Sequence, residues 1–325
     1  MPSCQRPLTR FGGKMTQAYS KILVPLDGSE FGERALAPAL ALARRSQGEL
    51  HLVSAVSSLP LLRPSDAEKG DTKGWFAEEG ARVAAYLEQV RERIQEEDPD
   101  QVVRVHSRVG GPAPSILRRV EEVHADLVVM TTHGRSALGR AWLGSVADGV
   151  VRQANCPVLL LRPDEEEAPL NLARIMVSLD GSDASERALG QARLLAGAWG
   201  SEVDLVSVIP TPHSVAVPYL DASAEAEEVR QTLEADFREY LDRTATSLRE
   251  AGVKVETQVV RAQDVPAGLL GALKRSEAGL LVMSTQGRGG VARLILGSVA
   301  NRMIRSAPVP VLVVPPARKE SLIEG

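Results

Sequence analysis

Short apolar runs alternate with amphipathic stretches along most of the chain. The first run, Lys21–Leu26 (KILVPL), shows no polar alternation and ends at Asp27-Gly28-Ser29. Such a run predicts a strand covered on both faces, as in a parallel sheet. Ser29 is a suitable N-cap with Glu30 in the first turn. A helix is therefore expected to about Arg45, closed by Gly48 and bent at Pro38. Leu50–Val56 reads as the second strand, and the polar, Pro-bearing Ser57–Gly74 as a long surface loop. Phe76–Glu97 sets Val83, Leu87, Val90 and Ile94 on one helical face. Val102–Val109, Leu127–Thr131 and Pro157–Leu161 are the remaining strands, separated by helices at Ala113–His124 and Val146–Ala154.

The series then restarts. Arg174–Leu179 (RIMVSL) ends at Asp180-Gly181-Ser182, as the first run ended at Asp27-Gly28-Ser29. Asp180 follows Asp27, Gly287 follows Gly134 and Pro310 follows Pro157 by the same 153 positions. A constant shift marks a tandem repeat without net insertion. The length, 325 residues, suits two domains of ~150 residues each. The expected division is a tail at 1–19, a domain at 20–162, an acidic linker at 163–173, a second domain at 174–316 and a tail at 317–325. Each repeat reads β-α-β-α-β-α-β-α-β, which implies a parallel sheet with helices on both faces and right-handed crossovers.

The chemistry concentrates after the fourth strands. Thr132–Ser145 (THGRSALGRAWLGS) is repeated as Gln286–Ser298 (QGRGGVARLILGS). In both, Gly-Arg opens the loop and Gly-Ser closes it ten residues later, at Gly134 to Gly144 and Gly287 to Gly297. Backbone N–H groups in such a loop and in the helical turn after it attract anions, so each copy is a candidate phosphate cradle. Arg135 and Arg288 could meet phosphate bidentately or stand solvated in an exposed loop. Ligands of parallel sheets sit at the carboxyl ends of strands where the order reverses. Asp27 and Asp180 end the first strands and would face these loops if strands one and four are neighbours.

Composition narrows the choices. Aromatics are 3%, so the core must be built from Val, Leu, Ala and Ile. A net charge of −4 gives no electrostatic reason to expect nucleic acid or an anionic membrane. Cys4 and Cys156 show no CxxC spacing, which disfavours zinc and disulfides and fits a reducing compartment. Cys156, just before a strand, is read as a small buried hydrophobe. No signal-like h-region or membrane-length run is present, so a cytoplasmic protein is expected. No GxGxxG follows either first strand and no GxxxxGK[ST] occurs. The third strands end in Val109-Gly110-Gly111 and Arg261-Ala262-Gln263, without the phospho-acceptor Asp of a response regulator. His133 has Gln286 as its repeat partner, and no nucleophile, base and orienting group converge, so a fast enzyme is not indicated.

Taken together, ILVPLDGS and IMVSLDGS, the two Gly-x9-Gly-Ser loops and the terminal PVLLL and PVLVV resemble the universal stress protein family. The resemblance covers nearly the whole chain outside the N-terminal tail and the linker. It implies an α/β fold of two tandem five-stranded parallel sheets of order 3-2-1-4-5, Rossmann-like and adenine nucleotide alpha hydrolase-like. Nucleotide-binding members carry Gly-x2-Gly-x9-Gly-[Ser/Thr] and hold ATP between that loop and the first-strand Asp. Carried over, Gly134, Arg135, Gly144, Ser145 and Val146 would line one phosphate site, and Gly287, Arg288, Gly290, Gly297, Ser298 and Val299 the other. Leu26 and Asp27, with Leu179 and Asp180, would sit near the nucleoside, and Ala55 and Val208 match the backbone position that meets adenine.

The first Gly of the motif is Thr131 in one half and Ser284 in the other, where a side chain either crowds the ribose or bonds it. The implied role is regulatory binding of ATP, with Mg²⁺. The alternatives are an interaction module of the same fold that binds no nucleotide, and a slow ATPase. By the family order the fifth strands, VLLL and VLVV, are apolar edges. A short linker favours their pairing within one chain as an intramolecular pseudo-dimer, so a homodimer would use another surface.

Overall fold

The computed structural model describes residues 18–56, 72–132, 143–162, 170–211, 224–286 and 296–316. The first half comprises β1 (Lys21–Pro25), α1 (Glu30–Glu33), α2 (Leu36–Ser46), β2 (Glu49–Val56), α3 (Thr72–Glu97), β3 (Val103–Val109), α4 (Pro112–Val123), β4 (Leu127–Thr131), α5 (Ser145–Gln153) and β5 (Val158–Leu161). The second comprises β6 (Arg174–Ser178), α6 (Asp183–Trp199), β7 (Glu202–Pro210), α7 (Ala224–Glu250), β8 (Val255–Ala262), α8 (Val265–Ser276), β9 (Leu280–Ser284), α9 (Ser298–Ser306) and β10 (Val311–Val314). The first helix, expected to be continuous, is broken between α1 and α2. Pro38 is the cause: it has no N–H for the carbonyl of Arg34 and its ring crowds that carbonyl. Gln191 stands at the same place in the second half, and α6 runs unbroken.

All ten strands form one sheet, β3-β2-β1-β4-β5-β10-β9-β6-β7-β8. Each half keeps the expected order, and the fifth strands pair as expected, which joins the two five-stranded sheets into one. Within a half every pair is parallel, whereas β5 and β10 pair antiparallel. Leu159 lies opposite Leu312, its own repeat partner, so a pseudo-two-fold axis passes through this pair. Arg45 Nε donates to the Ala198 carbonyl at 2.6 Å, again between repeat partners.

Two apolar layers cover the sheet. One packs Leu23, Val128, Met176 and Leu281 against α4, α5, α8 and α9; the other packs Ile22, Val129, Ile175 and Val282 against α2, α3, α6 and α7. Both layers run across the β5–β10 seam, so the halves share their cores. Cys156 is buried at 5% exposure, as expected, and burial pushes its thiol up to about 12.

Tyr19, assigned to the tail from the sequence, is instead a core residue at 2% exposure. Its hydroxyl donates to Gln191 Oε1 of α6 at 2.9 Å, tying the start of the first half to the second. Tyr19→Phe should lower stability by about 1 kcal/mol, because a partly buried amide oxygen loses its donor. Urea unfolding checks this; an unchanged midpoint would mean the bond contributes nothing.

The repeat is not perfectly in step. β2 residue Val53 pairs with His106, but its partner Val206 on β7 pairs with Gln258, so the third strands are offset by 152 rather than 153 (258 less 106). β8 has 8 residues where β3 has 7, which restores the count before α8.

Candidate functional site

Both first strands end in a tight turn. Gly28 and Gly181 each take φ of 78°, a left-handed conformation that glycine adopts without steric cost. The turn folds Ser29 back onto Asp27. Ser29 donates its N–H at 3.0 Å and its hydroxyl at 2.5 Å to Asp27 Oδ1. Ser29 Oγ in turn accepts from Gly32 N–H and caps α1. The second half repeats this, with Ser182 donating to Asp180 Oδ1 at 3.0 and 2.6 Å and capping α6 through Ser185 N–H. Each Asp therefore helps to shape its helix entry. Leu26 and Leu179, at 3% and 2% exposure, anchor the turns from below.

The neighbours of these aspartates follow from the sheet. β1 lies between β2 and β4, so the strand order reverses beside it. Continuing the Leu23–Val128 register sets Asp27 beside Thr132, and continuing the Pro25–Val53 register sets it beside Ala55. By the same continuation Asp180 lies between Thr285 and Val208. The recorded pairing ends at Leu23–Val128 and at Val177–Val282, so these residues lie beyond it, at the carboxyl ends of neighbouring strands.

Helix N-termini reach the same edge. Gly144 N–H donates to the Thr132 carbonyl at 2.8 Å and Gly297 N–H to the Thr285 carbonyl at 2.9 Å. These bonds pin the starts of α5 and α9 beside strands β4 and β9. Gly144 and Gly297 are the N-caps and carry no side chain, so among the described residues neither helix has a side-chain cap. The first-turn N–H groups, which have no intrahelical acceptors, and the positive end of the helix dipole thus lie at the carboxyl edge of the sheet. Ser145 and Ser298 are exposed, and Val146 and Val299 half-buried. A Cβ at Gly297 would stand 3.1 Å from the Thr285 carbonyl oxygen, tighter than an ordinary contact, so the close approach favours glycine.

The structure thus gathers Leu26, Asp27, Ala55, Thr131, Gly144, Ser145 and Val146 at one edge, and Leu179, Asp180, Val208, Ser284, Gly297, Ser298 and Val299 at its counterpart. Gly134, Arg135, His133, Gly287, Arg288 and Gly290 lie outside the described residues. Thr131 and Ser284 are buried at 6% and 7%. Ser284 Oγ accepts from Gln286 N–H at 3.2 Å, shaping the loop entrance. Thr132 and Thr285 were not singled out from sequence, although their carbonyls hold the cradle in place. Their repetition at the same 153 spacing, between strand and loop, was the available signal.

The comparisons with known proteins agree with this architecture. The model of the universal stress protein family matches twice, over residues 18–162 and 171–315. A universal stress protein of Mycobacterium tuberculosis is 33% identical over 240 residues, covering 74% of this chain and 78% of that protein. One from Mycobacterium bovis is 27% identical over 301 residues, 90% of this chain and 99% of its own. The crystal structure of a universal stress protein from Archaeoglobus fulgidus, 21% identical, shares the fold with a TM-score of 0.68 over 91% of this chain and 98% of that one. With both halves matched and a single sheet built from two copies of one unit, the chain belongs to the universal stress protein family.

Proposed function

We propose that each half binds ATP at the edge between β1 and β4, or β6 and β9, as a regulatory ligand. The observation that carries this reading is the uncapped Gly-Ser start of α5 and α9, pinned beside a strand-end Asp in both halves. A helix start without a side-chain cap leaves its N–H groups for an anionic ligand. The triphosphate would lie on Ser145, Val146, Ser298 and Val299 with the loop glycines. Asp27 and Asp180 would accept from the ribose hydroxyls, and the backbone at Ala55 and Val208 would meet the base. Among the described residues no three His, Cys, Asp or Glu side chains gather as metal ligands. Mg²⁺ would therefore arrive on the triphosphate oxygens rather than in a protein cage.

Gly144→Val with Gly297→Val should abolish ATP binding measured by calorimetry while thermal unfolding remains cooperative. Unchanged affinity in that variant would sink the proposal. Asp27→Ala with Asp180→Ala should weaken affinity by about tenfold or more, the effect of losing charge-assisted hydrogen bonds. A large loss of stability at unchanged affinity would leave both as helix-entry residues alone.

A further inference from the structure

The two crevices differ in one packing pair. Val208 leans on α8, where a Cβ added to Gly268 would stand 2.6 Å from Val208 Cγ1, 3.0 Å from Cγ2 and 3.1 Å from the Ala262 Cβ. No side chain fits there without moving Val208, and the contact is at the branched end of a stiff residue near the strand terminus. Gly268 has no positive φ that would require glycine for conformational reasons. It lies within α8, where glycine is a poor helix former. Its missing side chain is therefore explained by the space Val208 occupies. In the first half the same two positions hold Ala55 and Ser115, with Ser115 buried at 5% exposure. The halves thus distribute bulk oppositely: small strand residue with larger helix residue in one, larger strand residue with glycine in the other. The strand neighbours differ as well, since Val208 pairs with Val260 and Ala55 with Arg108.

We infer that Gly268 is a positioning residue for the second site: it lets Val208 turn into the helix layer, so the end of β7 keeps the position from which it meets a purine base. This rests on the ATP reading above. The second site then has Val208 and its apolar strand neighbour Val260 at its wall, whereas the first has the smaller Ala55, whose strand neighbour Arg108 is ion-paired to Glu122 of α4. The sites differ in base preference as a consequence, and the difference is set by packing beneath the site rather than by residues that touch the phosphates.

The test uses the full chain with the first site disabled by Gly144→Val, titrated with ATP and with GTP. Gly268→Ser should weaken ATP binding about tenfold and reduce the ratio of ATP to GTP affinity. Adding Val208→Ala to Gly268→Ser, which reproduces the pair of the first half, should restore ATP affinity to within about threefold. A purely structural role would lower the unfolding temperature without changing the ATP to GTP ratio, and would overturn the inference. So would a Gly268→Ser defect that Val208→Ala fails to relieve. If Gly268→Ser does not fold, the reverse change, Ala55→Val in a chain carrying Gly297→Val, must weaken ATP binding and be relieved by Ser115→Gly; no effect there is equally fatal. Absence of ATP binding by the unmutated chain would instead defeat the underlying reading.

Discussion

Residues 18–162 expressed alone will dimerise or aggregate rather than remain a soluble monomer. In the full chain Val158, Leu159, Leu160 and Leu161 are all at 5% exposure or less. Leu159 and Leu161 belong to one apolar layer and Val158 and Leu160 to the other, so both faces of β5 are buried. Removing the second half uncovers this strand and opens its unpaired N–H and C=O groups along an apolar edge. Re-exposing four such side chains costs on the order of 5–10 kcal/mol. That is comparable to the whole stability of a typical domain. The near-symmetric register about Leu159 and Leu312 means that a second copy of the first half can take the place of β10. Size-exclusion chromatography with light scattering should give a mass of about two halves or more, and residues 170–316 added in excess should compete for the partner. A half that stays monomeric at high concentration would show that the β5–β10 seam is dispensable.

Acid will destabilise the first half and spare the second. His51 Nδ1 and His106 Nε2 lie 3.0 Å apart in rings tilted by only 7°, a hydrogen bond between nearly coplanar imidazoles. Only one proton fits between them, whichever tautomers are present. His51 is 3% exposed, with Glu49 Oε1 3.2 Å from its Nε2. The other charges that act on the pair are Lys21 on β1, Arg104 on β3 and Arg119 on α4, opposed by Glu122 of α4, itself paired to Arg108, Arg118 and Arg119. Burial first, then the Arg119 charge, depresses His106 from 6.5 to about 4, and burial depresses His51 as well.

A histidine with a depressed folded value binds fewer protons in the native state, so stability falls as pH drops from about 6.5 towards 4. The full shift would be worth roughly 3 kcal/mol, reduced to about 1–2 by the partial exposure of His106. The second half has Asp204 where the first has His51, and burial raises that carboxyl against the opposing Arg174 charge. A raised carboxyl costs stability when ionised and regains it on protonation, so acidification relieves the second half. Urea titrations of the intact chain and of His106→Gln, the residue found at Gln258, should diverge by about 1–2 kcal/mol between pH 6.5 and 4. Parallel curves would remove the pair from the acid response.

The repeat, the strand-helix alternation and the Asp-Gly-Ser and Gly-Ser edges were legible from residue order alone. Each depends on local chemistry: unbroken apolar runs, a cap within reach of its own turn, and glycines that the backbone needs. The 3-2-1-4-5 order and the fifth-strand seam came from the family resemblance. The tertiary structure set the antiparallel register of that seam, with Leu159 opposite Leu312, in which the open edges of β5 and β10 satisfy each other. It also broke the first helix at Pro38, where loss of the N–H and the ring clash outweighed the amphipathic pattern. Tyr19 was unreadable as core because its partners, Gln191 and the shared apolar layer, are far away in sequence. The one-residue slip of β8 was equally hidden, since β8 gains a residue over β3 without changing the spacing of the motifs on either side. The sequence by itself therefore determined which residues end the strands and open the helices. Only the tertiary structure decided which of them meet, because register and packing between distant segments set those distances.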